Sequence, residues 1–191
     1  RVEATGSPER VKAFEKNTES RFPAMSNFSF DYGNVHITCL DSNPYANPLD
    51  RDLLLWLIND LKTSKADWKI VAYHHPAFNT SISHYDDQQM RLIAPILEEQ
   101  KVDLVLAGHV HNYQRSFPLK FELKLDSSGT RYVVSPEGRV DGTFTLDQKF
   151  DGVTNTRPEG IIYIVSGSGG ARLYDAPLTN NPDLWKHDKP G

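Results

Sequence analysis

The chain has 191 residues, of which 38% are hydrophobic and 24% charged, and its formal net charge is −4. This length and composition predict one globular domain with a sizeable core. The 21 basic and 25 acidic residues are scattered along the chain, so no basic stripe exists to bind nucleic acid. No apolar stretch approaches the roughly 20 residues of a transmembrane helix, so no membrane partner is expected. Cys39 is the only cysteine, which excludes an intrachain disulfide and predicts a buried thiol.

The first third of the chain predicts a helix, a β-hairpin and a second helix. Ser7-Pro8-Glu9 is typical of a helix start, with a capping residue followed by proline at the first helical position. Residues 28–32 and 35–40 are β runs joined by Gly33-Asn34, which suits a tight turn. Asp50 can cap a helix whose apolar residues recur at helical spacing, namely Leu53, Leu54, Leu57, Ile58 and Leu61.

The remainder of the chain alternates strand and helix and then becomes β-rich. Strands are predicted at 70–73 and 102–107, with a helix between them around Met90, Ile93 and Leu97. Pro95 predicts a kink or a late start of this helix, because proline cannot donate a helical hydrogen bond. Further short strands are predicted at 121–125, 131–134, 143–146 and 161–165. The pattern favours a single α/β domain with a largely buried sheet.

Two of the predicted strands stop abruptly at histidine. His74 follows the strand at 70–73, and Gly108-His109-Val110-His111 follows the strand at 102–107. In open α/β sheets the carboxyl edge of the strands is where ligands bind. If the second loop is extended, His109 and His111 leave it on the same side with Cα atoms roughly 6.5 Å apart. That separation can bracket two ions about 3.5–4 Å apart, so the pattern predicts a metal site.

The same residues resemble a known family. His74-His75-Pro76 and the run from Gly108 to Arg115, Gly-His-Val-His-Asn-Tyr-Gln-Arg, are similar to the last two motifs of purple acid phosphatases, a branch of the calcineurin-like metallophosphoesterases. The hairpin at 30–37, the strand end at Asp41-Ser42 and the glycine-rich run at 167–170 also look like that family. The resemblance therefore extends over most of the chain.

The resemblance implies roles for the histidines. His74 and His109 would bind one metal ion, and His111 would bind the other. His84 lies where the family places a histidine that contacts phosphate and protonates the leaving group, although a surface-loop histidine is an equally good interpretation. His75 stands where the family has Ser or Tyr, so it is interpreted as a packing or second-sphere neighbour, with ligation as the alternative.

The fold and chemistry of the family follow as expectations. The fold class would be α/β, with the chain forming part of a four-layer α/β/β/α sandwich with mixed sheets. Two ions, Fe, Zn or Mn, would hold a phosphate ester and provide a hydroxide that attacks phosphorus in line, while His84 protonates the leaving oxygen. The residues leave the location open, and the resemblance slightly favours a secreted or periplasmic one.

Several family features are missing or altered. The family has the motifs Asp-x-Gly, Gly-Asp-x-x-Tyr and Gly-Asn-His-Glu before the hairpin, and none of them is present there. Gly33-Asn34-Val35-His36 imitates the last of them only within a predicted turn, so His36 is expected to be an ordinary strand residue. Ser83 replaces the first of two phosphate-contacting histidines, and Gln114 replaces a glutamate. His187 lies in a polar tail and is expected at the surface.

These departures predict that residues 1–191 are the C-terminal portion of a single metallophosphoesterase domain and that Arg1 is not the native N-terminus. The missing half, or a second chain, would then cover the sheet. The chain alone is expected to be inactive, because three neutral imidazoles lack the negative charge that holds two cations together. The alternative is a non-catalytic metal-binding or structural protein, and upstream sequence with or without the missing motifs would discriminate between the two.

Overall fold

The computed structural model describes residues 26–174. The predicted helix beginning at Ser7 and the predicted surface histidine His187 lie outside the described residues. The described part forms a mixed six-stranded sheet, a separate two-stranded sheet and a small set of helices. This architecture confirms the predicted α/β class with mixed sheets.

The elements follow one another in the order strand, strand, helix, strand, helix, and then five strands. Their bounds are β1 Phe28–Tyr32, β2 Val35–Cys39, α1 Arg51–Thr63, β3 Trp68–Ala72, a 3-10 helix Gln89–Ile93, α2 Ala94–Glu99, β4 Leu104–Ala107, β5 Tyr113–Arg115, β6 Leu119–Leu123, β7 Gly142–Leu146 and β8 Ile162–Ser166. The large sheet has the order β1-β2-β3-β4-β8-β5. Its four central strands are parallel, and β1 and β5 are antiparallel edges.

The hairpin and the first helix form where the sequence predicts them. Gly33 adopts φ 61° at the first of the two loop residues, a conformation that glycine takes without steric cost and that a type II′ hairpin turn requires. Asp50 caps α1, since its Oδ1 accepts hydrogen bonds from the backbone N–H of Asp52 and of Leu53, both at 3.0 Å. Leu57 and Leu61 of the predicted apolar face are fully buried against the sheet side of the core.

Pro95 explains the form of the next helical segment. The chain first makes a 3-10 helix, and the α-helix α2 starts only at Ala94, which places Pro95 in the first turn, where no helical N–H is needed. The late start is therefore confirmed. Met90, Ile93 and Leu97 all point into the core, as the predicted spacing requires.

The two faces of the large sheet differ in burial. Alternate residues such as His36, Thr38, Val71, Val105 and Tyr163 are buried within the helix-covered core. Their neighbours form what we call the open face, an apolar surface whose most exposed members are Phe28, Phe30, Tyr32, Trp68, Leu106 and Tyr113. The register places these side chains on one side of the sheet. Among the described residues, one face is packed and the other is accessible to solvent.

Two local expectations require correction. Cys39 is only half-buried, because its position in β2 puts it on the open face, although this partial burial still raises the pKa of the thiol. The predicted strand at 131–134 is reduced to isolated bridges, Leu125 with Tyr132 and Val134 with Val140. The backbone N–H of Val133 donates to the carbonyl of Lys124, and the carbonyl of Val133 accepts from the N–H of Asp141. Because these partners lie in two different segments, residues 131–134 do not form a continuous strand with either one.

Within residues 26–174, no helix combines the length and the apolar character that a membrane crossing needs.

Candidate metal centre

The histidine-bearing loops leave the sheet at the carboxyl ends of two neighbouring parallel strands. His74 lies two residues after β3, and His109 lies two residues after β4. Ser42, beyond the end of β2, anchors the first loop because its Oγ accepts hydrogen bonds from the backbone N–H of His74 at 3.0 Å and of His75 at 2.8 Å. Three adjacent strands therefore position the site, as the strand-end pattern predicts.

His109 is the centre of a cluster of four imidazoles. Its Nδ1 lies 3.1 Å from Nε2 of His74, and its Nε2 lies 2.8 Å from Nδ1 of His84. The ring centroid of His75 lies 4.3 Å from that of His109. The structure thus brings together two of the three predicted ligands, the predicted catalytic histidine and the neighbour His75.

The electrostatics of the cluster keep the central ring neutral. The pKa of His109 is lowered to about 4, first by burial and then by the neighbouring imidazoles His75, His84 and His74, against a smaller opposite effect of the hydrogen bond with Asp87. Burial also lowers the pKa of His75. At neutral pH these rings carry lone pairs, and metal ligation requires that state.

The carboxylate of the cluster, Asp87, was not predicted from the sequence. Asp87 Oδ2 lies 3.1 Å from Nδ1 of His84 and 3.3 Å from Nε2 of His109. The only signal was an acidic residue three positions after His84, a spacing that a single turn of chain can bring together. No family motif quoted above includes this residue, and the pattern His-x-x-Asp is too short to stand alone.

His111 lies beside the cluster rather than within it. Two groups of described residues have ligand atoms within 4.8 Å of one another, His74 with His75 and His109, and His84 with Asp87 and His109. His111 belongs to neither. The reason is local, because His109 adopts φ 61° and the loop therefore turns at this residue. The prediction that the His109 and His111 rings point in the same direction assumed an extended loop.

Tyr174 connects His111 to the cluster. Its ring stacks on His111 at a centroid distance of 4.4 Å, and its hydroxyl oxygen lies 3.1 Å from Nε2 of His84. Nδ1 of His111 lies 2.9 Å from the carbonyl oxygen of Arg172, which can only accept, so Nδ1 carries the proton and Nε2 keeps the lone pair. His111 is therefore held in the tautomer that offers Nε2 as a ligand atom.

Two residues behind the cluster fix the loops that carry it. A side chain at Gly167 would collide with the carbonyl of Val110, so the glycine-rich run after β8 passes directly against the histidine loop. Gln114 is buried, its Oε1 accepts from the backbone N–H of Thr80 at 2.8 Å, and its Nε2 donates to Asn112 at 2.8 Å. This amide ties the segment leading to His84 to the segment containing His109.

His36 is an ordinary strand residue, as predicted when Gly33-Asn34 was interpreted as a hairpin turn. It lies in β2 and is buried, with Nδ1 2.7 Å from Asp31 Oδ1 and Nε2 2.9 Å from Asp60 Oδ2. Burial alone lowers its pKa, but the hydrogen bonds and charges of Asp60 and Asp31 outweigh burial, and the net pKa of His36 is raised. It has no part in the metal centre.

Comparison with known proteins agrees with this fold. The model of the calcineurin-like phosphoesterase family matches residues 4–113, which is more than half of the chain. The chain therefore belongs to the calcineurin-like phosphoesterase family. Within that family its relatives place it in the purple acid phosphatase-like branch.

Three relatives illustrate the placement. Purple acid phosphatase 21 of Arabidopsis thaliana is 35% identical over 117 residues, which cover 58% of this chain and 26% of the relative. Phosphoenolpyruvate phosphatase of Allium cepa is 33% identical over 113 residues, covering 56% of this chain and 23% of the relative. The structure of a purple acid phosphatase from yellow lupin seeds has a TM-score of 0.56 at 19% identity, covering 82% of this chain and 25% of that one. The chain thus spans about a quarter of the length of these proteins.

The residues present fit a metal ion. They offer four imidazoles, of which His75 and His109 have lowered pKa values, and one carboxylate oxygen, arranged in two groups of three whose ligand atoms lie within 4.8 Å of one another. Imidazole with carboxylate is a donor set for Zn, Fe or Mn.

Proposed function

We propose that the protein is a metal-dependent phosphoric ester hydrolase of the purple acid phosphatase type. The observation that carries the proposal is the imidazole cluster around His109, located at the carboxyl edge of the parallel strands in a chain of the calcineurin-like phosphoesterase family. Ligand and catalytic sites of open α/β sheets lie at that edge.

The proposed site uses two ions, each Fe, Zn or Mn, and a phosphate ester as substrate. His74 and His109 would hold one ion, and His111 would offer Nε2 to the other. The ions, when bound, polarise a phosphoryl oxygen and lower the pKa of a water nucleophile. The role of this chain's own residues is to fix ring tautomers, since the carbonyl of Arg172 holds the proton on Nδ1 of His111 and leaves Nε2 available.

His84 is proposed to carry the proton that the leaving group needs. A general acid must lie at the site and exchange a proton near neutral pH, which imidazole does. Its ring is about one-third exposed and contacts Tyr174 through Nε2 and Asp87 through Nδ1. Both contacts orient the ring while solvent still reaches it.

The open face supports a further part of the proposal. A contiguous apolar surface on a sheet is a site where other polypeptide packs. We propose that residues 1–191 form the C-terminal portion of a single metallophosphoesterase domain and that further sequence, or a second chain, covers Phe28, Phe30, Trp68 and Leu106. That polypeptide would also supply the carboxylates that hold two ions close together.

Metal content and turnover of single-histidine variants test the proposal. In a protein extended upstream of Arg1, His109→Ala should remove one metal ion and His111→Ala the other, as measured by elemental analysis alongside hydrolysis of an aryl phosphate. His36→Gln is the matched control, because it removes a buried imidazole outside the site. Metal content unchanged from wild type in both variants would contradict the ligand assignment.

A non-catalytic metal-binding protein is the second candidate. It is favoured by one observation, that the metal-capable groups form from residues 74–109 without a ligand from elsewhere. The extended protein separates the two candidates. Turnover that depends on His109 supports the hydrolase, whereas stoichiometric metal with no turnover by either length of chain supports the binding protein.

A further inference from the structure

A loop from the connection between β6 and β7 packs behind the segment that carries His84. We call residues 135–140 the supporting loop, and the segment against which it packs comprises residues 84–88. Gly138 makes the close approach possible, because it has φ 100° and a Cβ atom there would stand 2.8 Å from the carbonyl oxygen of Asp86. The two segments are therefore in direct backbone contact.

A buried glutamine joins the segment to the supporting loop. Gln88 is only 1% exposed, its Oε1 accepts from the backbone N–H of Val140 at 3.0 Å, and its Nε2 donates to the carbonyl oxygen of Tyr85 at 2.9 Å. Both hydrogen bonds are buried, and a buried hydrogen bond is costly to leave unmade. One side chain thus fixes the turn that follows His84 and attaches this turn to the supporting loop.

Arg139 adds a contact on the solvent side of the same segment. Its Nε donates to Oδ1 of Asp86 at 2.5 Å, and its guanidinium carbon lies 5.2 Å from the centroid of the Tyr85 ring. Asp86 is held against the supporting loop in this way, while the next residue, Asp87, contacts the ring of His84. The segment is therefore fixed between the supporting loop on one side and the metal centre on the other.

The backbone conformation of His84 makes such support necessary. His84 adopts φ 64°, a conformation that residues other than glycine rarely adopt and that persists where the surrounding structure enforces it. The hydrogen bonds to its own carbonyl oxygen are long, at 3.4 Å from Asn79 Nδ2 and 3.3 Å from the backbone N–H of Asp87. The contacts of Asp86 and Gln88 with the supporting loop are shorter, at 2.5 and 3.0 Å. These shorter contacts are the ones that can hold the conformation.

We propose that the supporting loop positions the imidazole of His84 for protonation of the leaving group, and that Gln88 and Arg139 are positioning residues for this step. The inference rests on the proposed function, in which His84 is the general acid. When the P–O bond to the leaving group breaks, its electron pair stays on the leaving oxygen and a proton from His84 neutralises it, while water supplies the new oxygen on phosphorus. An acid displaced from hydrogen-bond reach of that oxygen loses its effect.

The dependence of the rate on the leaving group tests this role. The protein extended upstream of Arg1 and supplied with metal should be assayed with an alkyl phosphate, whose leaving oxygen needs a proton, and with p-nitrophenyl phosphate, whose leaving group departs without one. Gln88→Met keeps the side-chain volume and removes both hydrogen bonds. It should lower kcat for the alkyl phosphate at least about 10-fold, because a positioned general acid contributes about 10²–10⁴-fold. The kcat for p-nitrophenyl phosphate and KM for both substrates should stay near the wild-type values.

Arginine variants provide a graded test and a control. Arg139→Ala should lower kcat for the alkyl phosphate about threefold, because an ion pair that is about half exposed contributes little. Arg139→Lys should recover part of this loss, because it keeps a positive charge opposite Asp86. Arg131→Ala is the matched control, since it removes the same charge from an exposed position in the same connection between β6 and β7. Its kcat should equal that of wild type with both substrates.

A second measurement does not depend on turnover. The rings of His84 and Tyr174 are stacked, with centroids 5.9 Å apart. In metal-free protein, the NMR cross-peak between these two rings should lose intensity in Gln88→Met and keep it in Arg131→Ala. Circular dichroism checks that each variant is folded, and if Gln88→Met does not fold, Arg139→Ala carries both measurements.

Three results are decisive. An equal loss of kcat with both substrates would overturn the proposal, because the supporting loop would then act on the whole site. An unchanged cross-peak together with an unchanged dependence on the leaving group in the folded variants would overturn it as well. If the wild-type protein turned over neither substrate, the proposed hydrolase would fail, whereas a weakened cross-peak in Gln88→Met would still support the positioning of His84 by the supporting loop.

Discussion

His36 and His109 are both enclosed histidines, and their surroundings give them opposite properties. His36 has a carboxylate at each ring nitrogen, Asp31 and Asp60, and its pKa is raised. His109 is partly buried and surrounded by other imidazoles, and its pKa is lowered to about 4. A glycine shortly precedes each histidine, Gly33 before His36 and Gly108 before His109. The local sequence is therefore similar, and the neighbours in space decide which histidine can bind a metal.

The difference also separates structural from functional polar groups. The carboxylate of Asp60 is fully engaged, accepting from Ser29 Oγ at 2.6 Å, from Thr38 Oγ1 at 3.0 Å and from His36. That set ties β1 and β2 to α1. Around His109 the contacts are mainly between imidazole rings and are partly exposed, so a ligand can reach the ring nitrogens.

Removal of one carboxylate from each environment should give the largest contrast. Asp60→Ala removes the acceptor shared by the buried imidazole of His36 and two hydroxyl donors, and should lower the free energy of unfolding by about 3 kcal/mol. Asp87→Ala, at a half-exposed position, should lower it by less than about 1 kcal/mol. Urea unfolding of metal-free protein measures both. Similar losses in the two variants would remove the distinction between the environments.

The His109 loop should depend on close backbone packing instead of on charge. Gly167→Ala forces the added methyl group against the carbonyl of Val110, which displaces the loop and should cost about 1–3 kcal/mol. Gly169→Ala is the control, because a methyl group there meets no neighbour within 4 Å. Thermal unfolding should show a lower Tm for the first variant alone. Equal Tm values would mean that the loop adapts without loss.

The two histidines should control opposite ends of the pH profile of stability. Because the folded pKa of His36 is raised, its contribution is complete below the unfolded pKa of about 6.5 and is lost as pH rises through the folded value. Because the folded pKa of His109 is lowered to about 4, its contribution is present above pH 6.5 and is lost as pH falls from there toward 4. Urea unfolding with chelator present should show His36→Gln flattening the alkaline side and His109→Gln flattening the acid side. The reverse assignment would contradict both pKa directions.

The smallest expected effect is a change in the pKa of His109 when one neighbouring side chain is replaced. His75 is the first of the imidazoles that lower the pKa of His109, so His75→Gln should raise that pKa. Asp87 acts in the other direction, so Asp87→Asn should lower it. NMR titration of the His109 ring in metal-free protein measures both shifts. Shifts of the same sign in the two variants would show that the variants rearrange the cluster.

Much of the fold could be predicted because it depends on local signals. The turn at Gly33, the cap at Asp50, the apolar face of α1 and the late start at Pro95 are each set by residues within a few positions of one another. The strand at 131–134 could not be predicted from its composition, since its failure to form a ladder depends on partners at Lys124 and Asp141.

The site was predictable to a similar degree. The strand-end pattern placed His74 and His109 at one sheet edge, because parallel strands align their carboxyl ends. Asp87, Tyr174 and the conformation of His109 were not predictable, since each depends on loops meeting across the edge. The ligand roles of His74, His109 and His111 and the acid role of His84 remain predictions that the metal experiments test.

The position of β8 between β4 and β5 has a consequence for the order of folding. β5 follows the histidine loop directly, yet it pairs with β8, which is formed by residues 162–166. The long segment between β5 and β8 must close into a loop before β5 can pair with β8. Closing a long loop costs conformational entropy before the contacts between the two strands form. During synthesis, therefore, β3 and β4 can pair early, while the loop carrying His109 and His111 acquires its supporting strand only after β8 has emerged. The metal centre is expected to be among the last parts of the chain to become ordered.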